Sequence, residues 1–304
     1  MPTLPELTWH AKRWRHEWRA RGVLGTPPLV ARDDGVLVFS MIGHHVLRPY
    51  LVAAKSFGRA LRRGRFVILD DGTLTTGDRA VLARHLDRPE LLSLATVDTG
   101  PCPRGGTWER LLLILDRRRD AYVIQLDSDT VTTGDAVEEV AAAIEANRSF
   151  TLRGEAAADL LEADAFAAAR PPLPPGRAHV QRAFEAVVEQ VRVPGLRYMR
   201  GCSGFAGFAR GGGGRALAER VSAEGERLLG RARWTEWGTE QLTSNLVIAN
   251  EPDPLLLPYA RYLNYWGEAV PGDARLVHFL GTCRFTGDAY ARATRAAVAR
   301  LNAA

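Results

Sequence analysis

Cysteine is scarce: Cys102, Cys202 and Cys283 are odd in number, far apart and in no CxxC pair. Neither a disulfide framework nor a structural zinc site is supported by that pattern. Long apolar runs are also lacking. Nothing approaches the ~18 residues of a membrane span, and the start, MPTLPELTWHAKRW, has no apolar signal-peptide core. Lysine is nearly absent, Lys12 and Lys55 being the only two, so the net charge of +5 rests on arginine. Glycine (29) and proline (17) stay well below the level of a disordered or collagen-like chain. These absences leave a soluble protein of a reducing compartment, expected in the cytoplasm.

What is present is an average globular composition, 46% hydrophobic and 25% charged over 304 residues, enough for two ordinary domains or one large α/β domain. The arginine richness has two readings. It reflects codon usage, or it marks an anionic partner, because guanidinium forks match phosphate and carboxylate oxygens. A nucleic-acid partner is not expected, since the arginines are spread along the chain rather than gathered in a stripe.

Residues 1–34 read as a helical N-terminal extension. The spacing predicts a helix from about Pro5 to Arg21, with Trp14 and Trp18 at i,i+4 among Lys12, Arg13, Arg15, Arg19 and Arg21. The expectation is that the tryptophans pack on the body of the protein. The alternative is peripheral contact with an anionic membrane surface, on its inner face.

Strands and helices then alternate. Val36–Ile42 is a continuous apolar run of the buried parallel type. Further strands are expected at Arg65–Leu69, Leu91–Val97 and Ala121–Leu126, with helices at Val46–Leu61, Thr76–His85 and Thr107–Arg118 between them. The pattern predicts a doubly wound, mostly parallel sheet with helices on both faces and ligands at the carboxyl ends of the strands. Residues 135–170 read as largely helical, and PPLPPG at 171–176 as a stiff stop. Helices follow at about 177–192, 215–229 and 238–249. A strand and tight turn are expected at Arg197–Ala209, a strand at Arg275–Leu280 and a last helix at Asp288–Leu301.

Two acidic motifs end predicted strands. In LDSD at 126–129, Asp127 and Asp129 stand at i,i+2, a spacing that points two carboxylates one way and suits a hard divalent ion against a diphosphate. Such pairs also commonly cap the next turn. Asp70 and Asp71 in ILDDGTL carry the same ambiguity. A third feature is His278-Phe-Leu-Gly281-Thr-Cys-Arg284, in which a histidine on an apolar strand precedes a glycine and a cation.

Taken in order, these residues resemble the GT-A-type glycosyltransferases, specifically the glycogenin-like family with its bacterial lipooligosaccharide galactosyltransferase members. That family has a DxD after a strand and a late HxxGxxK; here the lysine is Arg284, and the following Pro-Trp is replaced by Phe285-Thr286. The resemblance implies Asp127, Asp129 and His278 as ligands of Mn²⁺ or Mg²⁺, with Gly281 and Arg284 over the diphosphate. Trp108-Glu109-Arg110 is similar to the family's aromatic-x-Arg, whose arginine reaches the donor sugar. Cys202-Ser203-Gly204-Phe205 stands where the family has Asn-Ser-Gly, which implies Ser203 and Gly204 at the sugar. Glu240-Gln241 and Asn245 resemble its Asp-Gln-x-x-x-Asn helix near the anomeric carbon. Glu240 equally suits the electropositive start of a helix. Asp70-Asp71-Gly72 is closer to a turn of the large inverting GT-A family, where an aspartate meets uracil. Retention and inversion therefore both stay open: Glu240 as general base if inverting, front-face chemistry near Gln241 if retaining.

The resulting expectation is one GT-A-like catalytic domain over 35–304. It comprises a nucleotide-sugar half (35–135), a helical, Pro-rich insert (136–196), and an acceptor half with a closing C-terminal segment (197–304). Its function would be metal-dependent transfer from a nucleoside-diphosphate sugar, UDP-linked by the Asp70–Asp71 reading, to a carbohydrate, lipid-linked or small-molecule acceptor. The alternatives are a sugar-nucleotide nucleotidyltransferase, whose glycine-rich basic loop is missing from SMIGHHVLRP at 40–49, and a non-catalytic arginine-rich scaffold.

Overall fold

The computed structural model describes residues 4–173 and 176–303; for residues 4–7 and Thr282 the backbone alone is described. Pro174 and Pro175 of the expected stop lie outside the described residues. The fold is α/β, with seven strands in a mostly parallel main sheet. The chain divides into two compact units, each assembled from separated stretches of sequence.

The first unit comprises Met1–Ala95, Ile124–Ala142 and Pro258–Ala304. Val36–Ile42 pairs in parallel with Arg65–Asp70, and that strand with Glu90–Ser93. Phe39, Val67 and Ile68 are fully buried on these strands, which is why their sequences run apolar without alternation. The last strand is shorter than expected; Leu94–Thr96 turns instead into a 3₁₀ helix. The helix Leu47–Leu61 ends where Arg62 takes a left-handed conformation and returns its N–H to Gly58. Thr76–His85 starts from a reciprocal cap, Thr75 Oγ1 accepting from Asp78 N and the Asp78 carboxylate from Thr75 N.

A second, three-stranded sheet in this unit was not expected. Leu276–His278 lies between Tyr262–Asn264, parallel to it, and Thr130–Thr132, antiparallel. It sets Asn264 and Thr130 in register with His278.

The N-terminal helix spans Leu4–Arg19 and runs into a 3₁₀ turn, Ala20–Gly25. The expected packing of its tryptophans is overturned: Trp14 is 71% exposed and Trp18 50%. The inner face is carried by His16, Ala20 and Val23 instead. His16 stacks on Tyr290 of the closing helix Ala289–Asn302, at 3.7 Å between ring centroids.

The second unit comprises Thr96–Val123 and Ala143–Leu257. Residues 135–170 were expected to be largely helical. Glu138–Glu145 and Ala163–Ala168 are helices, but Phe150–Arg153 between them is a strand of the main sheet. It pairs antiparallel with Gly201–Phe208 and parallel with Leu255–Leu256. Gly207 lies opposite Phe150, and a Cβ there would come within 2.2 Å of the phenyl ring. Helices Trp108–Arg117, Arg215–Leu229 and Thr239–Ala249 belong to the same unit.

Much of the arginine is accounted for by internal pairing. Arg118 is fully buried and binds both oxygens of Glu251, at 3.0 and 2.6 Å, and the carbonyl of Ala209. Arg200 grips buried Glu185, and Arg215 reaches Asp116 and Glu219.

Candidate functional site

In the first unit, the strand pairing brings Asp127, Asp129 and His278 together although 149 residues separate the last two. Asp127 follows the buried strand Tyr122–Leu126, and its carbonyl accepts from Thr130 N and Oγ1, which closes a tight turn around Ser128. Asp129 then precedes Thr130, the register partner of His278, and its carbonyl accepts from Phe279 N at 2.8 Å. One ligand-type atom from each of Asp127, Asp129 and His278 lies within 4.8 Å of the others. The donor set is two carboxylate oxygens and one imidazole nitrogen.

His278 Nδ1 lies 2.8 Å from Asn264 Oδ1. With the amide oxygen accepting, Nδ1 carries the proton and Nε2 is turned toward Asp129 Oδ1, 3.3 Å away. A side chain that fixes the tautomer of a histidine in this way is the usual outer partner of a metal-ligating imidazole. The residues present therefore fit a divalent cation. Asn264 escaped the sequence reading; no motif marks it, and only the parallel register opposite His278 does.

Arg284, expected over a diphosphate, is paired within the protein. Its guanidinium pairs with the second oxygen of Asp129, and its Nε donates to Phe279 O at 2.9 Å. Burial opposes ionisation of Asp129, but the Arg284 charge, followed by His278, outweighs it and holds the carboxyl well below the usual carboxylate range. Gly281 has φ +38°, so the 3₁₀ turn that carries the chain from His278 to Arg284 itself calls for glycine.

Asp70 and Asp71 end the strand Arg65–Asp70 as expected, and both cap the turn after it. Buried Asp70 accepts from Gly72 N and Leu74 N and pairs with Arg79. Exposed Asp71 accepts from Thr73 N and Oγ1. Its carboxylate lies over Gly43, where a Cβ would fall 2.1 Å from Oδ2.

In the second unit, Glu240 opens the helix Thr239–Ala249 and is almost wholly buried. Its Oε2 accepts from Arg110 Nη2 at 3.2 Å, Thr107 Oγ1 at 2.9 Å and Ser203 Oγ at 3.4 Å. Arg110, Ser203 and Glu240, expected separately, thus form one network. Gln241 joins it, its Oε1 accepting from Ser203 N at 3.3 Å and its Nε2 donating to Gln181 Oε1 at 3.2 Å. Gln181 in turn donates to Glu185, which Arg200 and Tyr198 also hold. Gly204 follows Ser203 inside the strand Gly201–Phe208. Thr107 and Gln181 are members that no sequence motif singled out. Thr107 does stand directly before the aromatic-x-Arg segment, and Trp108 Nε1 donates to Thr239 Oγ1, which ties that segment to the Glu240 helix.

No protein-family model matches the sequence, and no curated protein matches it by sequence. By structure the chain is similar to the bifunctional glycosyltransferase WbbM in its apo form, with a TM-score of 0.50 and 12% identity over 90% of this chain. The match covers 51% of that protein, so the chain spans about half of its length. More distant likenesses are to mouse xyloside xylosyltransferase 1 (TM-score 0.43, 13% identity, 82% of this chain and 98% of that one). The galactosyltransferase LgtC, solved with donor and acceptor sugar analogues, stands similarly (TM-score 0.43, 15% identity, 87% and 95%). At 12% identity the likeness to WbbM speaks to the fold alone.

Proposed function

We propose that this chain is a metal-dependent glycosyltransferase that moves a sugar from a nucleoside-diphosphate sugar, UDP-linked, onto a hydroxyl of a carbohydrate, lipid-linked or small-molecule acceptor. The observation that carries the reading is the Asp127–Asp129–His278 trio with Asn264 behind the histidine, on this fold. Asp127, Asp129 and His278 would hold Mn²⁺ or Mg²⁺, which would supply positive charge to the departing diphosphate. Arg284 adds a second cation beside it, which a phosphate oxygen would draw away from Asp129. Asp71, the exposed member of the acidic turn, is the residue assigned to the base.

Glu240 receives three hydrogen bonds in a buried setting, which suits a rigid acceptor for sugar hydroxyls rather than a mobile general base. Gln241, fixed between Ser203 and Gln181, presents an amide beside it.

The test is thermal unfolding with UDP, Mn²⁺, or both, followed by a donor screen that reads sugar release and the anomeric configuration of the product by NMR. A shift that needs both ligands, abolished by Asp129→Ala and His278→Ala, supports the reading. Equal shifts in wild type and both variants would remove it.

A further inference from the structure

We propose that the outer face of the N-terminal helix docks the protein on an anionic lipid bilayer. The observation is independent of the donor reaction. Helix Leu4–Arg19 is held from within by His16 against Tyr290, by Arg19 against Asp288 at 3.5 Å, and by Glu17 against Arg48 at 3.7 Å. That inner anchoring fixes which face looks out. The outward face carries Ala11, Trp14, Arg15 and Trp18, residues three and four apart and therefore on one stripe, and exposed Arg21 of the following 3₁₀ turn lies over Trp18.

Two large indoles standing in water on a firmly held helix are an unfavourable arrangement unless something covers them. The chemistry around them identifies what does. Over residues 4–25 the sequence has five cations (Lys12, Arg13, Arg15, Arg19, Arg21) and two acidic residues, Glu6 and Glu17. Two of the cations lie over rings, Arg21 3.6 Å from the Trp18 centroid and Arg13 5.3 Å from that of Trp9. A guanidinium on an indole face keeps its edge donors available for phosphate oxygens while the ring enters the acyl boundary. Tryptophan itself favours that boundary, with its ring in the headgroup layer and its N–H toward water. A protein partner would present apolar surface to the tryptophans and acids to the arginines separately; an anionic bilayer presents both at once, in the order the helix carries them. No helix among the described residues is long and apolar enough to cross a membrane, so this helix lies on the surface.

The experiment uses the full chain with vesicles of phosphatidylglycerol and phosphatidylcholine in equal parts, and with phosphatidylcholine alone, read by flotation and by tryptophan emission. The expected result is binding to the anionic vesicles with a blue shift, weakened by salt, and little on the neutral ones. Trp14→Ala/Trp18→Ala and, separately, Arg15→Glu/Arg21→Glu should each lower the partition coefficient by about tenfold or more. All four side chains sit in the outer half of the helix and its turn, so both variants should keep the wild-type melting temperature. The proposal is overturned if the wild type stays with the aqueous phase. It is also overturned if either double variant binds as the wild type does, or if the tryptophan variant changes only the sedimenting mass, which would make the face a contact between two copies of this chain.

Discussion

Arg284 holds one oxygen of Asp129 while His278 faces the other, so a single buried carboxylate is shared by two side chains of the same strand-and-turn segment. A divalent cation held there would compete with the guanidinium for Asp129. Metal binding would then be coupled to the position of Arg284, because a cation on Asp129 would favour the arginine elsewhere.

Removal of the guanidinium should then have opposite effects on two measurements. In Arg284→Gln, Mn²⁺ measured alone by calorimetry should bind more tightly, by about three- to fivefold, the size of a partly exposed ion pair. Turnover with donor should fall by about tenfold or more, since a cation there acts as the leaving group gains charge. Unchanged Mn²⁺ affinity would mean that the Asp129–Arg284 pair offers no resistance to metal.

Asn264 acts only through His278. Asn264→Leu leaves the imidazole free to rotate and to exchange tautomers, and Mn²⁺ affinity should fall by about 10–100-fold. Asn264→Asp keeps an acceptor on Nδ1–H and should retain most of the affinity. Calorimetry on the three proteins decides it; wild-type affinity in Asn264→Leu would place Asn264 among residues that merely fill space.

The contrast between Asp129 and Asn264 shows what was legible in the chain. Val36–Ile42 and Thr76–His85 were readable to the residue and Arg215–Leu229 nearly so, because what bounds them is local: an apolar run, the Thr75 cap and Gly230. Thr130–Thr132 and Tyr262–Asn264 have three residues each, too few for a period to show, and they are strands because Leu276–His278 pairs with both. Asn264 inherits its place from that pairing. Phe150–Arg153 was hidden by the Ala- and Glu-rich helix before it. The Trp14 and Trp18 reading failed for another reason. That apolar side chains go inside is a one-way rule, and an i,i+4 pair states only that two residues share a face, not which face is turned in.

The Arg110–Glu240 pair should be costly to break and less costly to replace. Both side chains are buried, and Thr107 and Ser203 share the same carboxylate oxygen. Glu240→Ala removes the acceptor from all three donors and should destabilise the protein by about 3 kcal/mol or more in urea unfolding. Adding Arg110→Met should recover a substantial part of that loss, since the buried charge goes too. Turnover should remain low in the double variant, and this separates the stabilising role of the network from its proposed role at the sugar. A double variant as unstable as Glu240→Ala alone would show that the guanidinium is not what makes the single change costly.

The helix that carries the exposed tryptophans should loosen in acid through His16. Burial pushes the His16 imidazole down to about 4, and the charges of Arg284 and Arg19 add to the effect. In the unfolded chain it titrates near 6.5, so the folded state is the one that resists the proton. The sign follows: this stability is present in full above about pH 6.5 and is lost as the pH falls toward 4, by about 3 kcal/mol at the lower limit. His16→Phe removes the titration while keeping a ring against Tyr290, which stacks on His16 at an interplanar angle of 21°. Urea unfolding of wild type and variant from pH 7.5 to 4 should therefore give curves that diverge below pH 6.5, with the variant the flatter. Parallel curves would show that His16 is protonated in the fold without penalty, and that acid acts on the protein elsewhere.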